Sequence, residues 1–256
     1  MSTTENNPQN NQGLIERMFE AGAHFGFSKS RRHPTIKPYL YGNKQGTDIF
    51  DLEKSAVLLE EAKVALKALG ADGKKVLFVG TKEEVSVQMK EKAEEAEASF
   101  VVNRWIGGML TNFSEIKKRI NRLSTLTQEG ETGELERKYT KKERVMIGRE
   151  TDKLIFNFGG IRTMEKIPDA LFVVDPRHDH IAVTEARELN IPVIAVMSSD
   201  NNASLVTYPV VMNDALQASL KLVLAELTTA YKEGLSTYVP KTPVRDNRNS
   251  ARRSRS

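Results

Sequence analysis

The sequence predicts an α/β fold: a mostly parallel β-sheet with helices on both faces and an inserted antiparallel helical hairpin. Three observations predict it. Short continuous apolar runs, Lys74 to Gly80, Asp169 to Asp175 and Pro192 to Met197, have the composition of strands buried on both faces. These runs alternate with segments of helical period. Between the first two lie two long, charged segments whose apolar residues form only a narrow stripe, as in a two-helix coiled coil.

The elements follow in order. Residues 1–12 are polar and Asn-rich and are expected to be disordered. Leu14 to Ala23 predicts a short amphipathic helix with Leu14, Met18 and Ala21 on one face. Residues 24–46 show little periodicity and are expected to form a loop. Thr47 to Phe50 is a candidate strand. Leu52 to Leu69 predicts a helix with Val57, Leu58, Ala62, Ala65 and Leu69 inward. After the Lys74–Gly80 strand, Thr81-Lys82-Glu83-Glu84 has capping-box form and predicts a helix to about Ala98. Phe100-Val101-Val102 is a short strand candidate.

The hairpin is expected over residues 112–158. Its first helix runs from Asn112 to about Leu126, with Ile116, Ile120 and Leu123 at helical spacing. Gly130 and Gly133 mark a turn over residues 127–138. Thr140-Lys141-Lys142-Glu143 is a second capping box, opening a helix with Ile147, Thr151, Leu154 and Phe158 on one stripe. Then come a strand at Asp169–Asp175, a helix at Ile181–Leu189, a strand at Pro192–Met197, a loop over 198–207, a weak strand at Val206–Val211 and a closing helix from Asn213 to Lys232. The α/β domain thus comprises residues 13–111 and 159–233, and a basic disordered tail covers 234–256.

Composition narrows the function. No run approaches the eighteen apolar residues of a membrane span, and the start lacks the pattern of a signal or transit peptide. There is no cysteine, which removes disulfides and thiolate chemistry and agrees with a reducing, cytoplasmic setting. The net charge is +4, but Lys241 to Ser256 carries six basic residues and one acid, leaving 32 basic against 33 acidic residues elsewhere. A polyanionic partner must therefore be met by local patches and by the Arg-rich tail.

The strongest patch is the 24–46 segment. Lys29, Arg31, Arg32, Lys37 and Lys44 occur there without one acid, interleaved with Phe25, Phe27, Tyr39 and Tyr41. Cations contact phosphates and aromatic faces stack on unpaired bases, so the pattern points to RNA. The second candidate is Asn103-Arg104-Trp105-Ile106-Gly107-Gly108, which holds the only Trp of the chain. Arg104 and Trp105 on such a turn are expected to pair with or stack on a flat charged partner.

Catalytic and cofactor readings are weaker. Gly80-Thr81-Lys82 at a helix start offers N–H groups to a phosphate, but neither G-x-G-x-x-G nor G-x-x-x-x-G-K-[ST] is present. Arg177-His178-Asp179-His180 places two imidazoles together without the further ligands a metal needs, so Asp179 is expected to cap a helix. Ser114-Glu115-Ile116-Lys117 matches S-x-x-K without its companion motifs. No catalytic residue, cofactor or metal site is expected. A nucleotide-binding α/β enzyme, or an adaptor acting through the hairpin, are the rival readings.

Several segments then converge on one family: Phe19 to Gly26 (FEAGAHFG), Lys37-Pro38-Tyr39, Phe78 to Lys82 (FVGTK), Arg104 to Phe113 (RWIGGMLTNF) and Pro168 to Pro192. In this order they resemble the second protein of the small ribosomal subunit, the bacterial S-two family, over about residues 14–233. The sequence departs from the family pattern at Phe27, Arg31-Arg32-His33-Pro34, Ser198 to Asn202 and Met212 to Ala215. The resemblance implies a flavodoxin-like fold and a non-enzymatic role in translation. It implies binding to small-subunit rRNA near the head–body junction. It also implies support for docking of the large mRNA-binding ribosomal protein, contacts to neighbouring small-subunit proteins, and no homo-oligomer.

Overall fold

The computed structural model describes residues 8–239; the Arg-rich tail expected over 234–256 lies mostly outside this range. Five strands form a parallel sheet: β4 (Val76–Val79), β5 (Ser99–Val101), β6 (Ala170–Val174), β7 (Val193–Met197) and β8 (Tyr208–Val211), in the order β5-β4-β6-β7-β8. Numbered within the sheet, this is the 2-1-3-4-5 order of the flavodoxin-like fold. Every residue of β4, β6 and β7 is buried, which explains why their sequences are unbroken apolar runs.

Strand alternation divides the core. Leu77, Val79, Leu171 and Val173 face one layer, while Val76, Phe78, Phe172 and Val174 face the other. The second layer is closed by α1 (Pro8–Glu20), α2 (Leu52–Ala71), α3 (Glu83–Glu95) and α8 (Gln217–Thr237). The first is closed by α7 (His180–Glu188), by the segment from Trp105 to Leu110, and by α4 (Phe113–Glu131) and α6 (Lys141–Phe158).

In α2 the buried residues are Ser55, Ala56, Leu59, Ala62, Leu66 and Gly70, and Val57 is exposed. The expected inward set is therefore rotated. Backbone contact with α8 sets the phase: a Cβ on Gly70 would lie 2.6 Å from the Tyr231 carbonyl oxygen, and one on Gly234 would lie 2.2 Å from that of Lys67. Asp51 starts α2 by accepting hydrogen bonds from the Glu53 and Lys54 N–H groups.

α4 and α6 pack against each other, with a short helix α5 (Glu134–Lys138) within the expected turn. Their stripe, Ile116, Ile120, Leu123, Leu126, Ile147, Leu154 and Phe158, is buried and continuous with the sheet core. Arg122 and Glu150 join the two helices outside that stripe at 3.3 Å. The second capping box forms: Thr140 N–H and Oγ1 both donate to Glu143, at 2.8 and 2.9 Å.

Several elements differ from expectation. α1 begins at Pro8, inside the segment expected to be disordered, and α8 continues to Thr237, past the expected end at Lys232. The segment 24–46 is no loop. It contributes β1 (Phe25–Ser28) and β2 (Leu40–Lys44), which flank β3 (Thr47–Phe50) in an antiparallel sheet of order β1-β3-β2. β2 is an edge strand exposed over most of its length, so it shows no inside–outside alternation. Gln45 and Gly46, at φ 52° and 84°, make the tight turn into β3.

Candidate nucleic-acid interface

The small antiparallel sheet packs onto the loop after β7, and this contact assembles the basic face. Ser199 is the centre of the junction: its carbonyl accepts from His33 N–H at 2.8 Å and its Oγ from Phe27 N–H at 2.9 Å. Thr35 Oγ1 accepts from Ala203 N–H at 3.0 Å. Residues 27–35 and 198–203, distant in sequence, are thereby one surface.

Two acids outside the 24–46 window meet its cations. Asp48, fully buried, receives Arg32 Nε at 2.7 Å, Arg32 Nη2, and Asn43 Nδ2 at 3.0 Å. These bonds from Arg32 hold the Asp48 carboxyl below its ordinary range. Asp200, almost buried, receives Arg31 Nη2 at 2.9 Å and Arg177 Nη1 at 2.6 Å on one oxygen, and Asn201 Nδ2 at 3.1 Å on the other. The Arg31 guanidinium lies 4.2 Å above the Phe27 ring.

One carboxylate against two guanidiniums leaves an uncompensated positive charge, fixed in place. Arg31, Arg177, His33 and His180 line a depression of about 490 Å³ there. Lys29, Lys37 and Lys44 of the 24–46 segment are exposed and make no ion pair among the described residues. Tyr41, on β2 with Lys44, is 84% exposed and offers a ring face.

Two expected contact residues have partners inside the fold. Arg32 is paired with Asp48 through Nε and Nη2 while it also lines the depression. Trp105 is 6% exposed, and its ring belongs to the core. Its indole N–H donates to Glu185 on α7 at 3.1 Å. Glu185 also accepts from the N–H groups of Gly108 (2.8 Å), Leu110 (2.9 Å) and Thr111 (3.1 Å), and from the Thr111 hydroxyl. Burial raises the Glu185 pKa, but these donors outweigh it and hold the carboxyl below its ordinary value. Arg104 remains exposed and unpaired among the described residues, yet not beside Arg31. It follows β5, three strand spacings or about 14 Å from the end of β7.

The crevice where the sheet order reverses lies between the ends of β4 and β6. It is filled by the protein's own side chains. Asp179 accepts from Thr81 N–H at 3.2 Å and from Thr81 Oγ1 at 2.7 Å. Thr81 is therefore not a cap; the helix starts at Glu83 with Lys82 as N-cap. Asp179 sits at the N-cap position of α7 but makes no side-chain cap bond there, because its carboxylate is turned to Thr81. Lys82 Nζ reaches Asp175 Oδ2 at 3.2 Å and Asp214 Oδ2 at 3.6 Å. Among the described residues, no group of three or more His, Cys, Asp or Glu side chains converges as a metal site.

The family model described as Ribosomal protein S2 matches residues 18–234. The chain belongs to the ribosomal protein S2 family. It is 42% identical over 220 residues to the small ribosomal subunit protein uS2 of Fusobacterium nucleatum, covering 86% of this chain and 89% of that one. Against the uS2 of Dictyoglomus thermophilum identity is 41% over 221 residues, covering 86% and 89%. Against that of Solidesulfovibrio magneticus it is 38% over 232 residues, covering 91% and 90%. Glu185, within the Pro168–Pro192 segment, ties that segment to Arg104–Phe113.

Sequence reasoning missed Arg177, Asp200 and Glu185. Arg177 had a signal, since it stands beside the two His of the Arg177–His180 run; the acids had none, because Asp200 meets Arg31 across 169 residues and Arg177 across 23, and Glu185 meets Trp105 across 80.

Proposed function

We propose that this protein is a structural constituent of the small ribosomal subunit that binds small-subunit rRNA through the face formed by Lys29, Arg31, Lys37, Lys44, Arg177 and His180, with Arg104 as a separate contact. Family membership makes it a small-subunit ribosomal protein acting in translation, and not an enzyme. The observation that carries the RNA surface is the Arg31–Asp200–Arg177 arrangement. Two guanidiniums held by one nearly buried carboxylate lose little freedom on meeting a phosphate, and they retain net charge to attract it. The reading carries with it the location that the resemblance implies, near the head–body junction, beside neighbouring small-subunit proteins and in support of the large mRNA-binding protein. Such a site is cytoplasmic, on the ribosome; no described helix is long and apolar enough to cross a membrane.

The rival nucleotide-binding reading meets a physical obstacle. The Thr81 N–H that would receive a phosphate is occupied by Asp179, and Asp175 and Asp214 stand beside it. Carboxylates in the phosphate position repel the ligand and already satisfy the donors.

The test is competitive incorporation into small subunits. R31A/R177A is expected to be outcompeted by wild type more strongly than a chain lacking residues 241–256. A tail deletion more damaging than R31A/R177A would move the RNA surface away from this face.

A further inference from the structure

A second cleft, of about 640 Å³, opens between the loop after β5 and the base of α4 and α6. Its size lies within the roughly 300–1,000 Å³ range of ligand clefts. Two cations, Arg119 and Lys153, and two acids, Glu115 and Glu150, line it. Both acids are engaged elsewhere: Glu115 by Lys118 at 2.6 Å, and Glu150 by Arg122 at 3.3 Å. Arg119 and Lys153 have no ion pair among the described residues and are exposed. The cleft therefore presents two free positive charges, one from each helix.

Its other walls suit the remainder of a nucleotide. Gly107 lines the mouth, and its N–H has no hydrogen-bond partner among the described residues. A Cβ there would meet nothing within 4 Å, so the backbone is open to a close approach. The half-buried Ile106 offers an apolar face, and Asn112 and Asn157 bring side-chain amides to the lining, groups that can both donate to and accept from a base edge.

We propose that this cleft takes one unpaired nucleotide of RNA, its phosphodiester held by Arg119, Lys153 and the Gly107 N–H and its base laid against Ile106. The inference rests on the reading of the chain as an rRNA-binding protein. RNA fits better than a protein partner because the cleft offers charge and amides while its large apolar residues, Ile116, Leu154 and Phe158, are buried in the core.

The experiment measures binding of the full chain to purified small-subunit rRNA over a range of salt concentrations. R119A/K153A removes the cations on that one single-strand phosphate, which should lower affinity about tenfold and flatten the log–log salt slope by about 0.7. G107L, which fills the mouth without changing charge, should lower affinity comparably while its thermal midpoint stays at that of wild type. K141A/K142A removes equal charge from the start of α6, outside the cleft, and should stay within about twofold of wild type. Equal losses in the K141A/K142A and R119A/K153A chains, or wild-type affinity in R119A/K153A, would overturn the cleft. So would impaired subunit incorporation at unchanged rRNA affinity, which would assign the cleft to a protein. If wild type itself fails to bind the rRNA, the broader reading falls with it.

Discussion

Trp105 and Glu185 are joined by a 3.1 Å hydrogen bond from the indole N–H to a buried carboxylate, which also collects the N–H groups of the turn that follows. A buried acid would normally be costly; here the donors neutralise the cost, and the acid becomes the template on which residues 105–111 are wound. The Gly pair is part of this device, since Gly108 at φ 85° turns its N–H toward Glu185.

Replacing Glu185 by Gln removes the charge and leaves donors mismatched. We expect E185Q to lose about 2–4 kcal/mol of stability at pH 7. The folded pKa of Glu185 is depressed, so its contribution is present above the unfolded value of about 4.3 and is lost as pH falls through the folded one. The deficit of E185Q in urea unfolding should therefore shrink below about pH 4. A deficit independent of pH would show that shape, not charge, is what the loop requires.

Asp214 titrates in the opposite sense. Burial pushes its carboxyl up to about 7, with Asp175 adding to the rise and Lys82 opposing it. Neither of its oxygens accepts a hydrogen bond among the described residues. A raised folded pKa means the contribution is complete below the unfolded value of about 3.9 and is lost as pH rises through about 7. D214N should thus gain on wild type between pH 5 and 8, by at least about 2 °C in thermal midpoint. A constant difference over that range would mean Asp214 is charged throughout.

The helix pair α2–α8 tests backbone proximity. G234A places a methyl against the Lys67 carbonyl oxygen, where rigid backbone cannot yield. We expect destabilisation of about 3 kcal/mol, despite alanine's better helix propensity. Gly148, on exposed α6 with nothing within 4 Å, is the control: G148A should stabilise by about 0.5–1 kcal/mol.

We propose that the α4/α6 pair is separable only at its far end. Its base residues Ile116, Leu154 and Phe158 are continuous with the sheet core, so excision of all of 112–158 would uncover Met109 and Leu110. Joining residue 124 to residue 146 by a short linker should instead leave one cooperative thermal transition. Loss of that transition would make the distal helices part of the domain.

How much of this was legible depended on where each partner sits in sequence. The parallel strands were, because burial on both faces writes an unbroken apolar run, as in Leu171–Val174. The Thr140–Glu143 capping box was, because both partners are three residues apart. The Thr81–Glu84 match failed because a residue 98 positions away, Asp179, took the Thr81 hydroxyl. Basic residues 29–44 were visible, but the pairing of Arg32 with Asp48 and of Arg31 with Asp200 was not, so Arg32 looked unpaired when it is held by a buried acid. Trp105 misled for a related reason: an aromatic on a glycine turn has the same local sequence whether its ring faces outward or toward a carboxylate brought in by another helix.

The Gly70–Gly234 contact also sets an order of events during synthesis. α2 is made early, yet the groove that its Gly70 opens is filled by the last helix of the fold. While the nascent chain is shorter than this, Leu59, Ala62 and Leu66 have no α8 to cover them. The second core layer is therefore completed only as the final described helix clears the exit tunnel, and until then the partly made chain carries a bare apolar face suited to chaperone capture.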